Sequence, residues 1–104
     1  MYPAATGFRS RMSIADNVRP HLGKRCVLKT DIHDFFSSIR SPRVRNTFEA
    51  MGYPPDIAKV LGTLCCLHRC LPQGASTSPS LSNIISYEMD KKLSALAAEY
   101  GLTY

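Results

Sequence analysis

No stretch of this 104-residue chain is apolar for long enough to span a membrane, and no signal-peptide pattern opens it. A membrane-spanning or exported protein is therefore disfavoured, and the cytoplasm is the expected compartment. Internal repeats and low-complexity stretches are absent too. Acidic residues are scarce: eight Asp and Glu face thirteen Lys and Arg, a net charge of +5. The basic residues crowd the first half, from Arg9 to Arg45. Such a balance favours a polyanionic partner, because phosphate neutralisation releases counterions. A solvated basic face is the plain alternative. The 20% charged and 44% hydrophobic fractions are ordinary for a globular protein and argue against wholesale disorder. The length suits one small domain or part of a larger one.

Zinc-type cysteine spacing is also missing. Cys65, Cys66 and Cys70 crowd around His68, and Cys26 stands alone. Structural zinc sites use pairs two to four residues apart with a second pair far away. On a helix Cys66 and Cys70 would share a face while His68 points elsewhere. Small buried thiols in a reducing compartment fit this pattern better than a metal module.

Along the chain, residues 1–10 read as loop. Ser13 to Asp16 resembles a capping box opening a short helix towards His21, broken early by Pro20 and ended near Gly23. Residues 26–32 carry a β-branched, partly alternating pattern that predicts a strand, with Asp31 near its C-terminal end. Phe35 to Ile39 follow as a turn or short helical piece. Ser41 and Pro42 predict a helix start, with Ser41 as N-cap, and Gly52 its end. Val44, Phe48 and Met51 repeat at helical spacing between them. Pro54, Pro55 and Asp56 start a helix whose apolar stripe is Ile57, Val60, Leu61, Leu64 and Cys65. After a polar loop, Ser78 and Pro79 open one long helix ending at Gly101. Its apolar face runs from Leu81, Ile84 and Ile85 through Met89, Leu93 and Leu96 to Tyr100. Residues 102–104 read as the start of another strand. A lone strand cannot satisfy its own backbone groups, so the chain reads as part of a larger fold.

Two segments carry chemistry. In LKTDIHDFFSSI, residues 28–39, Asp31 and the Ile32 carbonyl could hold hard cations. Two-metal phosphoryl transfer needs carboxylates around a metal pair roughly 3.5–4 Å apart. Asp34, three residues on, would face away from Asp31 on a continuing strand. The plain alternative is a strand-end carboxylate followed by a turn cap. In LPQGASTSPSLSN, residues 71–83, amides near Gly74 could meet a phosphate at a helix start, and Gln73 offers donor and acceptor. The plain alternative here is a Ser-Pro helix cap.

Together the two segments resemble the reverse-transcriptase motifs Asp-Ile-x-x-Phe-Phe-x-Ser-Ile and Leu-Pro-Gln-Gly-Ala-x-Thr-Ser-Pro-x-Leu-Ser-Asn, the latter in the wording of retron-type bacterial enzymes. TGFR at 6–9, SIADN at 13–17 and His21 resemble the family's upstream segment. The resemblance covers nearly the whole chain, in the family's order. It implies an α+β, helix-rich piece of a right-hand polymerase, palm and fingers, with few strands. It implies an RNA-directed DNA polymerase using Mg²⁺, an RNA template, a DNA or RNA primer and dNTPs, with a structured non-coding RNA as a possible partner and no membrane. Asp31 matches the catalytic aspartate that binds both metal ions, and Ile32 lends its carbonyl. Asp34 and Phe35 match positions whose amides approach the triphosphate. Phe36 matches the steric gate under the sugar, although a Phe-Phe pair is also ordinary core. Gln73 and Gly74 match the loop on the incoming nucleotide, and Arg9 is a candidate triphosphate clamp.

The sequence departs from the family at residues 11–13, where Arg11-Met12-Ser13 replaces Gly-Arg-Ser and displaces an arginine. The Tyr-x-Asp-Asp hairpin and the thumb are expected beyond residue 104, so the chain alone is expected to be inactive. A non-catalytic nucleic-acid-binding module or a decayed relic is the alternative.

Overall fold

The computed structural model describes all 104 residues, Met1–Tyr104. Six α-helices form: α1 Ile14–Val18, α2 Phe35–Ser38, α3 Ser41–Ala50, α4 Pro55–Leu64, α5 Ser78–Ile85 and α6 Tyr87–Glu99. A 3₁₀ turn, Arg19–His21, follows α1. The helices belong to two compact units. One comprises Met1–Asp31 with Ser86–Tyr104, the other Ile32–Ile85. No helix is long and apolar enough to cross a membrane.

In the first unit, the capping box forms as its spacing predicts. The Ser13 amide and hydroxyl both donate to the Asp16 carboxylate at 2.7 Å, and the Asp16 amide donates back to Ser13 Oγ. Those bonds hold the Asp16 carboxyl below its ordinary pKa. Pro20 then turns the chain into 3₁₀ geometry. The strand expected over residues 26–32 does not form. These residues run without a ladder, and Val27 and Leu28 are exposed. The cause is non-local: the unit holds no second strand, and an extended segment without a partner has nothing to pair with.

Helix α6 also differs from expectation. The anticipated single helix is interrupted at Ser86, so α5 and α6 are separate. Leu93, Leu96 and Tyr100 are exposed, whereas Asp90 is buried at 6%. A buried carboxylate needs a donor, and the Tyr104 hydroxyl supplies it at 2.6 Å. Burial, together with this bond to the carboxylate, pushes the Tyr104 phenol up to about 12. Residues 102–104 thus fold back on α6 instead of opening a strand. Gly101, at φ 65°, ends α6 in a Schellman motif: the Leu102 amide reaches the Ala97 carbonyl and Gly101 that of Ala98.

In the second unit, Ile39, Val44, Leu71, Leu81 and Ile85 form the buried core, with Phe35, Phe36, Phe48, Cys65 and Cys66 packed against it. Arg40 is the N-cap of α3, with Ser41 and Pro42 in the first turn; Ser41 therefore lies one position inside its expected place. Gly52 ends the helix, again in a Schellman motif. Its hydrophobic contact is the edge-on pairing of Phe48 and Tyr53, centroids 5.9 Å apart.

Helix α4 is rotated from the face its bulky residues suggest: of that stripe Leu61 and Cys65 are half-buried, Cys65 against the core. Ile57, Val60 and Leu64 are exposed, while Ala58 and Gly62 are buried. The small face wins because it lets α4 come close to α3. A Cβ built at Gly62 would lie 3.4 Å from the Arg45 backbone. Gly62→Ala is therefore expected to fit and to leave stability unchanged or slightly raised. Gly62→Leu is expected to cost about 1–3 kcal/mol by overpacking. Chemical denaturation of both variants checks this; equal midpoints would mean the helices separate freely.

Candidate functional site

The candidate residues fall in both units. In the first unit, Asp31 lies at the end of the extended segment and is solvent-exposed. Arg9 does not project freely. Its Nη1 donates to the carbonyls of Tyr2, Pro3 and Ala5 at 3.1–3.4 Å. Asn17 donates to Thr6 Oγ1 at 2.9 Å and ties the same loop to α1. Tyr2 meets Tyr87 edge-on at 5.7 Å. Arg9 is thus engaged in shaping its own loop.

In the second unit, Asp34 occupies the left-handed region at φ 47° as the N-cap of α2. Its carbonyl accepts from the Ser38 amide at 2.9 Å and from Ser37 Oγ at 3.0 Å. Its carboxylate lies 3.0 Å from His33 Nε2, with both side chains exposed. The first amides of α2 have no acceptor within the helix, as at any helix start. The rings of Phe35 and Phe36 lie 5.8 Å apart, half-buried against the core.

The loop over residues 71–78 is anchored at both ends. Leu71 is buried, and its amide donates to the Ile39 carbonyl at 3.0 Å. Ser78 is fully buried, and its hydroxyl donates to the Pro72 carbonyl at 2.7 Å. Between these anchors Gln73 and Gly74 stand exposed in a turn, with Gly74 at φ 85°. That conformation suits glycine and disfavours any side chain. Phe35 and Phe36 thus pack against the core that also buries Leu71, while Asp34, Gln73 and Gly74 stand exposed on the segments next to them in the chain.

One feature left no mark in the sequence. The cysteine-rich segment folds into a hairpin in which Leu67 and Cys70 exchange both backbone hydrogen bonds, at 2.9 and 3.1 Å. His68 and Arg69 fill the turn at φ 50° and 63°, both left-handed, as a type I′ turn requires. Asn-Gly is the usual signal for this turn, and here neither residue is present. Such conformations cost of order 1–3 kcal/mol each in ordinary side-chain residues. Burial and the neighbouring thiols Cys65 and Cys70 push the Cys66 thiol up. Such a thiol is less reactive than a free one.

No group of three or more His, Cys, Asp or Glu side chains is placed to hold a metal ion. A hard carboxylate oxygen such as that of Asp31 suits a hard cation.

Comparison with known proteins shows the family of the chain. The whole chain, residues 1–104, matches the family of reverse transcriptases (RNA-dependent DNA polymerases). The chain belongs to that family. It is 38% identical over 102 residues to the retron Ec86 reverse transcriptase of Escherichia coli, covering 98% of this chain and 32% of that protein. It is 37% identical over 120 residues to the retron Mx65 reverse transcriptase of Myxococcus xanthus, covering 98% of this chain and 28% of that protein. The retron Mx162 enzyme of the same organism is 35% identical over 122 residues, covering all of this chain and 25% of that protein. The chain thus spans about a third or less of these relatives.

Proposed function

We propose that this chain is the fingers-and-palm segment of a retron-type RNA-directed DNA polymerase. The carrying observation is the family match across residues 1–104. The anchored loop over residues 71–78 and the packing of Phe35 and Phe36 of α2 against the core support this reading. In this reading Asp31 contributes one carboxylate and Ile32 one carbonyl to a divalent-metal site, with Mg²⁺ as the metal. Bound metal would neutralise charge on the transferring phosphoryl group. The amides of Asp34 and Phe35 approach the triphosphate, and Gln73 and Gly74 contact the incoming nucleotide. RNA template, primer and dNTP are the partners, in the cytoplasm. A structured non-coding RNA fits the retron resemblance. Arg9 acts on nucleotide binding through the loop it organises.

Phe36 is the specificity residue of this proposal. Its ring is braced by Phe35 and the core, so it can act as a rigid wall beneath a sugar. Phe36→Val in the full-length polymerase is expected to raise ribonucleotide incorporation relative to dNTP on the order of tenfold to a hundredfold. Single-nucleotide primer extension with dNTP and rNTP measures the ratio. An unchanged ratio with intact dNTP incorporation removes the gate. Absence of templated dNTP incorporation by the unmodified full-length protein overturns the polymerase reading and leaves a nucleic-acid-binding module.

A further inference from the structure

We infer that the His68–Arg69 turn, with Arg40 beside it, is a phosphate-contacting ridge that grips the sugar-phosphate backbone of the bound nucleic acid. The inference rests on the polymerase reading for the presence of nucleic acid. Its geometry stands on separate observations.

The hairpin is fastened to the segment that leads into α3. The Ser41 amide donates to the Arg69 carbonyl at 2.9 Å, Leu71 donates to the Ile39 carbonyl at 3.0 Å, and Arg40 pairs with Cys70 across an antiparallel bridge. Side chains alternate across such a pairing. Ile39 and Leu71 are buried at 2% and 1%, so Arg40 takes the opposite, outer face, where it is exposed. His68 and Arg69 are exposed at the tip. Neither arginine takes part in an ion pair. Three exposed nitrogen-rich side chains thus lie at the tip of the hairpin and on the segment paired with it, and neither arginine is held by a carboxylate.

The turn itself points to a use for these side chains. A two-residue loop with both residues left-handed is most easily made by Asn-Gly. Here it is made by His68 and Arg69, at φ 50° and 63°. Strained residues held rigidly by their surroundings are a recognised mark of ligand-contacting positions. Guanidinium forks suit phosphate oxygens, and phosphate contacts hold a duplex without reading its sequence. The ridge continues directly into Leu71 and the anchored loop bearing Gln73. Backbone gripped at the turn would therefore sit beside the nucleotide-contacting loop.

The test is a pair of variants in the full-length protein. His68→Asn with Arg69→Gly installs the preferred turn and removes the tip groups. Arg69→Lys keeps the charge. Binding of a labelled RNA–DNA primer–template duplex, and separately of an RNA hairpin, is measured from low to moderate salt, with urea unfolding alongside. The Asn-Gly variant is expected to be at least as stable as the parent. It should bind several-fold more weakly at low salt, and its slope of log affinity against log salt should flatten by about one. Arg69→Lys should keep the slope. Loss confined to one of the two nucleic acids identifies which backbone the ridge holds. A stabilised Asn-Gly variant with unchanged affinity and slope for both overturns the ridge. If the parent itself binds neither, the polymerase reading fails instead.

Discussion

Asp31→Asn in the full-length protein is expected, on the proposed polymerase function, to lower templated primer extension by about 10³-fold or more. A thousandfold loss corresponds to about 4 kcal/mol of transition-state stabilisation. That lies within the several kcal/mol that a metal centre supplies to a transferring phosphoryl group. The substitution keeps size and shape and removes one negative charge. Asp31 is exposed on a segment without regular structure, so the expected cost in stability is within about 0.5 kcal/mol. Nucleic-acid affinity should be unchanged or slightly tighter, because a negative charge is lost from a basic chain. The contrast is Asp34→Asn. Its carboxylate faces His33 in solvent, and in the proposed role its amide matters, not its charge. Its effect should stay within about tenfold. The decisive comparison is the extension rate of the two variants at matched primer–template occupancy. Activity of Asp31→Asn within tenfold of the parent would remove Asp31 from the metal site. Equal losses at Asp31 and Asp34 would mean that general charge, and not one ligand, is being read.

What could be read from the sequence was set by how local each interaction is. The Ser13–Asp16 capping box and the stops at Gly52 and Gly101 depend on residues within five positions, and all form as their spacing suggests. The break at Pro20 is likewise local. The strand over residues 26–32 was not decidable in this way, because its pattern fits a strand but pairing needs a distant partner. Choosing the buried face of α4 required knowing that α3 approaches closely enough to demand Gly62. Counting bulky residues favoured a face rotated away from the buried one, sharing only Leu61 and Cys65 with it. The buried Asp90 was hidden inside an apparent apolar stripe, since its donor Tyr104 lies fourteen residues away. At the site, the motif wording pointed to Asp31, Phe36, Gln73 and Gly74 through resemblance. The hydrogen bonding of Arg9 was less legible, because the three carbonyls that hold it belong to an irregular loop.

Leu71→Ala is expected to destabilise the second unit by about 2–5 kcal/mol, the range for removing a buried leucine side chain and leaving a cavity. Leu71 is 1% exposed and belongs to a core of only five buried apolar residues with Ile39, Val44, Leu81 and Ile85. Few neighbours can move to refill the space, because Ile39 is tied by its carbonyl and Leu81 by its amide to the Thr77 carbonyl. Domains of this size hold about 5–15 kcal/mol in total, so the change takes a large share. With a urea dependence of about 2 kcal/mol per molar, the unfolding midpoint should fall by roughly 1–2.5 M. Leu71→Met keeps the volume and should cost less than about 1.5 kcal/mol. The same residue opens the loop that Ser78 closes through Pro72, so a cavity beneath it loosens Gln73 and Gly74 as well. If the proposed function holds, the KM of the full-length protein for dNTP should therefore rise with Leu71→Ala and stay near the parent value with Leu71→Met. A midpoint unmoved by Leu71→Ala would show that this side chain is not part of the core. A lowered midpoint with an unchanged KM would show that the loop holds its shape without the core beneath it, which would separate nucleotide contact from the packing that otherwise explains it.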